Sequence, residues 1–208
     1  MSSAGEIATL LPEEAACLGR SVPKRAQEFA AGRACARRAL AEFGIVDFPL
    51  TVGQQREPLW PEQYVGSITH TTGLCAAVVG ERQRFMGLGV DIEIAGGVTP
   101  ELWPSICVAE ERSWLASLPD TRRATAATLL FAAKEAFYKA QFPLVRERLH
   151  FHEIRIEVPI WDAPQGSFLA RPLRTVRIAQ FAALPLRGQF RLDGQFMAAG
   201  VAIGAPRA

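Results

Sequence analysis

The chain has 208 residues, 49% of them hydrophobic and 21% charged, which supports a buried core of one large or two small domains and excludes disorder as its main state. Its 23 Lys and Arg against 21 Asp and Glu leave a formal charge of +2, too balanced for coating nucleic acid by bulk charge, so a polyanion must be recognised locally. The longest uncharged stretch, Gln63 to Gly80, contains Ser67, Thr69, His70, Thr71, Thr72 and three glycines and would not partition into lipid.

The amino-terminal stretch to Ala16 has no sustained apolar run, and no basic residue precedes Arg20, which argues against a secretory signal and for a cytoplasmic location. Cys17, Cys35, Cys75 and Cys107 form no C-x-x-C pair. They are read as reduced thiols, a catalytic cysteine needing a base that spacing does not reveal. From Lys24 to Phe43 there is no Pro and one Gly, at 32, and Phe29, Cys35, Ala36, Ala39 and Leu40 recur at helical intervals. This predicts a helix entered at Ser21 and Pro23 and stopped by Gly44. Apolar runs at 64–69, 74–80 and 86–94, bounded by glycines, predict strands of a mostly antiparallel sheet. Gly96, Gly97 and Pro100 mark the clearest break and the candidate linker. Helical patterns follow at 108–117 and 121–141, then strand patterns at 151–158, 166–170, 174–181, 187–192 and 195–203. The chain thus divides into an N-terminal half, residues 1–97, and a C-terminal half, residues 98–208, each with helix and sheet. Helices and strands mix without βαβ alternation, so the predicted class is α+β. Neither GxGxxG nor GxxxxGK occurs, so a phosphate ligand would be held by side chains and metal.

Three local constellations carry chemistry. Over residues 24–38, Lys24, Arg25, Arg33, Arg37 and Arg38 oppose only Glu28. Arg33 and Arg37 are one helical turn apart and can grip phosphate together, or the segment is a solvated basic face. In Gly87-Leu88-Gly89-Val90-Asp91-Ile92-Glu93, strand alternation sends Val90 and Ile92 to one face and both carboxylates to the other. Such a pair suits Mg²⁺, which takes one or two carboxylates plus phosphate oxygens; the alternative is the solvent face of an edge strand. From Asp91 to Glu111 there are five acids and no Lys or Arg, which favours the metal. In Phe131-Ala132-Ala133-Lys134-Glu135-Ala136-Phe137-Tyr138-Lys139, Glu135 and Lys139 share a helix face, either as a surface ion pair or, given the apolar setting, as partly enclosed charges. His70 lies among Ser67, Thr69 and Thr71, either structural or part of a neutral donor cluster for a pyrophosphate.

In order, Arg25-x-x-x-Phe29-x-x-Gly32-Arg33-x-Cys35-Ala36-Arg37, Arg56-Glu57-Pro58-x-Trp60-Pro61, Gly66-Ser67-Ile68-Thr69-His70, Gly89-Val90-Asp91-Ile92-Glu93 and Phe131-x-x-Lys134-Glu135-x-x-x-Lys139 form a series over residues 24–155. The series resembles the 4′-phosphopantetheinyl transferases of the Sfp type, in particular the siderophore-synthetase branch. The resemblance implies two pseudo-symmetric α+β halves, each a small mostly antiparallel sheet packed with helix, and an active site in the crevice between them. It implies that the serine hydroxyl of an apo acyl or peptidyl carrier protein attacks the β-phosphate of coenzyme A, releasing adenosine 3′,5′-bisphosphate. Mg²⁺ would be held by Asp91, Glu93 and Glu135. Phosphates would be gripped by Arg25, Arg33, Arg56, Ser67, His70 and Lys139, with Lys134 fixing the nucleotide end. Glu135 or a water on the metal would take the serine proton, and Glu111, or its neighbour Glu110, would complete the metal's surroundings. Ala132 stands where relatives often carry Ser, Thr or Cys, and Arg56 is one position from where some place a Lys. Two fused halves imply a monomer with coenzyme A and a carrier as partners, without nucleic acid or membrane. The competing readings are a binding module without turnover and a metal-dependent phosphohydrolase that uses water in place of serine.

Overall fold

The computed structural model describes residues 7–206. The first six residues, part of the stretch read as lacking an export signal, and the last two lie outside the described residues. A short helix α1 (Pro12–Ala16) precedes α2 (Pro23–Ala41). Pro23 supplies the pre-set φ of a first helical position, and Gly44 turns the chain away at φ +75°. The small residues Ala26, Ala30 and Ala36 let α2 lie close to the hairpin formed by β1 (Tyr64–Thr71) and β2 (Leu74–Glu81). Ala36, Leu40 and Leu50 form a small core on that side.

Next come β3 (Phe85–Ile94), α3 (Trp103–Ile106), α4 (Ala109–Ser117) and the long α5 (Asp120–Val145). The last four strands are β4 (Ile154–Glu157), β5 (Gln165–Pro172), β6 (Leu186–Leu192) and β7 (Phe196–Gly204). Together with β3 they make a five-stranded antiparallel sheet in the order β3-β7-β6-β5-β4, beside the two-stranded β1-β2. α5 is buried on most sides, with Leu129, Leu130 and Phe137 fully enclosed against Phe168, Met197 and Ile203 of the larger sheet. Each such side chain contributes about 1.5–3 kcal/mol by leaving water. Among the described residues no helix is long and apolar enough to cross a membrane.

Three expectations are corrected. β3, assigned to the N-terminal half, pairs along its length with β7 and is the edge strand of the C-terminal sheet. The two sheets are therefore unequal, with two strands against five. β1 lies beside β3 without a backbone ladder: Ser67 Oγ accepts the Val90 N–H and Thr69 Oγ1 the Ile92 N–H, both at 3.1 Å. The segment 174–181, expected as one of the strands set off by Pro or Gly, is a 3-10 turn at Arg177–Gln180. The Arg177 N–H donates to the Glu147 carboxylate at 2.7 Å, so this backbone is tied to the chain beyond α5 instead of to a strand. α5 also runs past Pro143 to Val145, beyond its expected end, because a proline in the last turn removes only one bond.

Candidate active site

The site begins with two glycines on β3. A Cβ at Gly87 would stand 2.2 Å from the Ala140 carbonyl oxygen, and one at Gly89 1.8 Å from that of Ala136. Glycine therefore allows the α5 backbone to rest on the strand. Residues at spacing two share a strand face, so Asp91 and Glu93 follow Gly87 and Gly89 onto the side that meets Glu135 and Lys139. Lys139 Nζ donates to Asp91 Oδ1 at 2.6 Å and to the Val90 carbonyl at 3.2 Å. Thr69 Oγ1 donates to the same Asp91 oxygen at 3.1 Å. Asp91 is 4% exposed, and among the described residues its buried Oδ2 has no hydrogen-bond partner.

Burial pushes the Glu93 carboxyl up to about 7, with Asp91 and Glu135 adding to the rise and Lys139 and Thr71 opposing it. Burial also raises Glu135, Lys139 opposing and Asp91 adding. Three carboxyls and one ammonium leave a local excess of negative charge, which a hard divalent cation would relieve. Among the described residues no three carboxylate, imidazole or thiol groups converge as a ready-made ligand set, and Lys139 takes up Asp91 Oδ1. The orphaned Oδ2 and the raised carboxyls nevertheless fit Mg²⁺.

Opposite lies a cationic wall. α2 and β1, the loop before β1, β3 and α5 enclose a cavity of about 460 Å³ lined by Arg25, Arg33, Arg56, Ser67, Thr69, His70, Asp91, Glu93, Tyr138 and Lys139. Arg33 is held by its own fold: Nε donates to the Leu50 carbonyl at 2.8 Å, and the guanidinium stacks 4.0 Å over the Phe29 ring. Its burial lowers its basicity, partly offset by Glu14, and most of its N–H groups remain for a ligand. Arg25 is half exposed, 4.0 Å from Glu28. Loss of water around the His70 ring lowers its basicity, with Arg25 and Lys139 adding to the fall and Glu28 and Asp91 opposing it. Glu135 faces an adjoining cavity of about 520 Å³ that shares Tyr138 with the first.

Some expected partners are placed elsewhere. Arg37, expected to grip phosphate with Arg33, pairs with buried Glu14 and donates to the Thr9 carbonyl at 2.7 Å, fastening the amino-terminal segment. Lys134 points away from its neighbour Glu135, as adjacent helical residues do. It is fully buried, with Nζ donating to the Ile106 carbonyl at 2.7 Å, Glu111 Oε2 at 2.7 Å and the Phe151 carbonyl at 2.9 Å. All three of its N–H groups are used, so it has none for a nucleotide. Glu111 also accepts the Val108 and Ile156 N–H groups and belongs to this cluster. Exposed Glu110 lies 3.6 Å from Arg155. Neither joins the three carboxyls. Tyr138 was not singled out as a site residue in advance, and Thr69 was read only as a hydroxyl of the His70 cluster, not as the partner of Asp91; the signal for that role was its place two residues from Ser67 on the same strand face.

Two family profiles match this chain in tandem: the 4′-phosphopantetheinyl transferase N-terminal domain over residues 13–80 and the 4′-phosphopantetheinyl transferase superfamily over residues 87–186. The chain belongs to the 4′-phosphopantetheinyl transferase family, enzymes that move 4′-phosphopantetheine from coenzyme A to carrier proteins. Among its relatives, the 4′-phosphopantetheinyl transferase Svp of Streptomyces mobaraensis is 39% identical over 192 residues, 90% of this chain and 72% of Svp. PptT of Mycobacterium tuberculosis is 41% identical over 71% of this chain and 65% of its own length. Enterobactin synthase component D of Salmonella typhi is 44% identical over 56% of this chain and 48% of its own. The solved holo-[acyl-carrier-protein] synthase of Thermotoga maritima is 20% identical with a TM-score of 0.44, over 59% of this chain and 65% of that one.

Proposed function

We propose that coenzyme A lies in the crevice with its phosphates against Arg25, Arg33, Arg56, Ser67, His70 and Lys139, and that Asp91, Glu93 and Glu135 hold Mg²⁺. The observation that carries this reading is Asp91 Oδ2, a buried carboxylate oxygen with no hydrogen-bond partner among the described residues, beside two carboxyls raised by burial and in one cavity with a row of cations. Bound there, the ion supplies positive charge to the pyrophosphate and to the charge that grows on the leaving phosphate. The remaining work falls to the chain's own groups. The arginines and His70 orient the phosphates, and Lys139 steadies an oxygen of the transferred group. The carrier serine oxygen bonds to the β-phosphorus as the bond to the bridging oxygen breaks, and adenosine 3′,5′-bisphosphate departs. The serine proton passes to Glu135, whose raised basicity suits an acceptor.

One chain supplies both walls, which supports a monomer. The two halves divide just before β3, in the gap between the matched segments 13–80 and 87–186. Similarity to enterobactin synthase component D supports a carrier from siderophore or secondary-metabolite synthesis. Incubation with coenzyme A, Mg²⁺ and an apo carrier should raise the carrier's mass by one phosphopantetheine arm. Release of free phosphopantetheine without a carrier would instead mark a hydrolase.

A further inference from the structure

The loop that brings Arg56 to the crevice is fastened to the opposite wall. The Gly53 N–H donates to the Glu57 carbonyl at 2.8 Å and the Arg56 N–H to the Gly53 carbonyl at 2.9 Å, above a single bridge between Val52 and Pro58. Arg56 has φ +68°, a left-handed conformation that a side chain disfavours. Something must hold it there. The Glu57 carboxylate folds back on this turn: Oε2 accepts the Gln55 N–H at 2.9 Å, and a Cβ at Gly53 would stand 2.2 Å from Oε1. The same Oε1 accepts from the Arg146 guanidinium, 89 residues along the chain at the end of α5. A second tie runs from Arg148 to the Gln55 side chain.

Arg146 itself ends α5 at φ +53°, and its guanidinium lies 5.7 Å from the centre of the Phe142 ring, which lines the crevice. Burial works against the charged form of Glu57, but Arg146 and the Glu57 and Gln55 N–H groups hold its carboxyl below the usual range. The Glu57 side chain is 9% exposed and that of Arg146 51%, so the carboxylate is covered while the guanidinium side of the bond stays open to water.

We propose that Glu57, clasped by Arg146, is a positioning residue for coenzyme A capture: it fixes the left-handed turn that presents Arg56 and holds the two walls of the crevice at one spacing. The inference rests on the coenzyme A reading of the crevice given above. A phosphate contact is useful only where the guanidinium is already aimed, because a mobile arginine loses rotamer freedom on binding. Arg56 is exposed, and among the described residues its side chain has no hydrogen bond or ion pair, so its aim depends on the turn beneath it.

The test measures coenzyme A KM and kcat in the carrier-modification assay, and direct coenzyme A binding by calorimetry without carrier. Glu57→Gln and Arg146→Gln are each expected to raise KM and the dissociation constant about tenfold, with kcat within about twofold, as for loss of one charge-assisted bond. The reversed pair Glu57→Arg with Arg146→Glu restores the tie between the walls but not the bond from the Gln55 N–H, since a guanidinium has no acceptor, and is expected to recover only part of the loss. Glu57→Gln added to Arg56→Ala should raise KM by less than Glu57→Gln does alone, since part of its effect acts through the same guanidinium; full additivity would overturn the presentation of Arg56 by Glu57. If Glu57→Gln folds poorly, Arg146→Lys, which keeps the charge and loses the planar fork, should raise KM about threefold. An unchanged KM in the Glu57 and Arg146 variants, beside a raised KM in Arg56→Ala, overturns the positioning role and leaves the coenzyme A reading standing. A normal KM in Arg56→Ala removes the loop from that reading, and the positioning role with it.

Discussion

The α5 backbone comes closest to β3 at Gly89, with no room to spare: a Cβ there would come within 1.8 Å of the Ala136 carbonyl oxygen. Gly89→Ala is therefore expected to cost about 3 kcal/mol, the upper end for overpacking, because a helix backbone atom must give way. The same shift would move Glu135 and Lys139 from Asp91. Urea unfolding and the carrier mass assay together check this: a stable, fully active variant would show that helix–strand contact does not set the site.

The carboxyls proposed for the metal work against the fold. Burial raises Glu135, so its ionised form weakens the folded state at neutral pH. Glu135→Gln is expected to lower the transfer rate at least ~100-fold while holding or raising the melting temperature at pH 8. A drop in both would mean that Glu135 is structural.

Lys134 should behave in the opposite way. Lys134→Met leaves Glu111 buried and unpaired and is expected to cost about 3–5 kcal/mol, with coenzyme A KM unchanged in the protein that remains folded. Replacing Glu111 as well, by Gln, should return part of the stability. A raised KM at normal stability would restore Lys134 to the nucleotide.

Without divalent cations, stability should fall as pH rises. The Glu93 carboxyl, ordinarily near 4.5, is pushed up to about 7 in the folded protein. The folded state thus binds more protons than the unfolded chain between those values, and stability declines across that window and levels off above it. Melting temperature in EDTA should drop by several degrees from pH 5 to 7.5, and millimolar Mg²⁺ should recover it at pH 7.5 more than at pH 5. Glu93→Gln should flatten both responses, as thermal melts followed by circular dichroism will show.

What the sequence determined by itself was local. Pro23 and Gly44 bound α2 because each restricts or frees its own backbone. The hairpin β1–β2 turns at Gly73 for the same reason, with φ +85°. Strand alternation alone set Asp91 and Glu93 on one face, and the 3.6-residue period set Glu135 and Lys139 on one side of α5. Only the tertiary structure decided which partner each charged group meets. Arg37 went to Glu14 and Lys134 to Glu111, each 23 residues away, and β3 joined β7 across half the chain. A buried charge takes the acceptor that three-dimensional packing leaves within reach, and spacing along a chain says nothing of that distance.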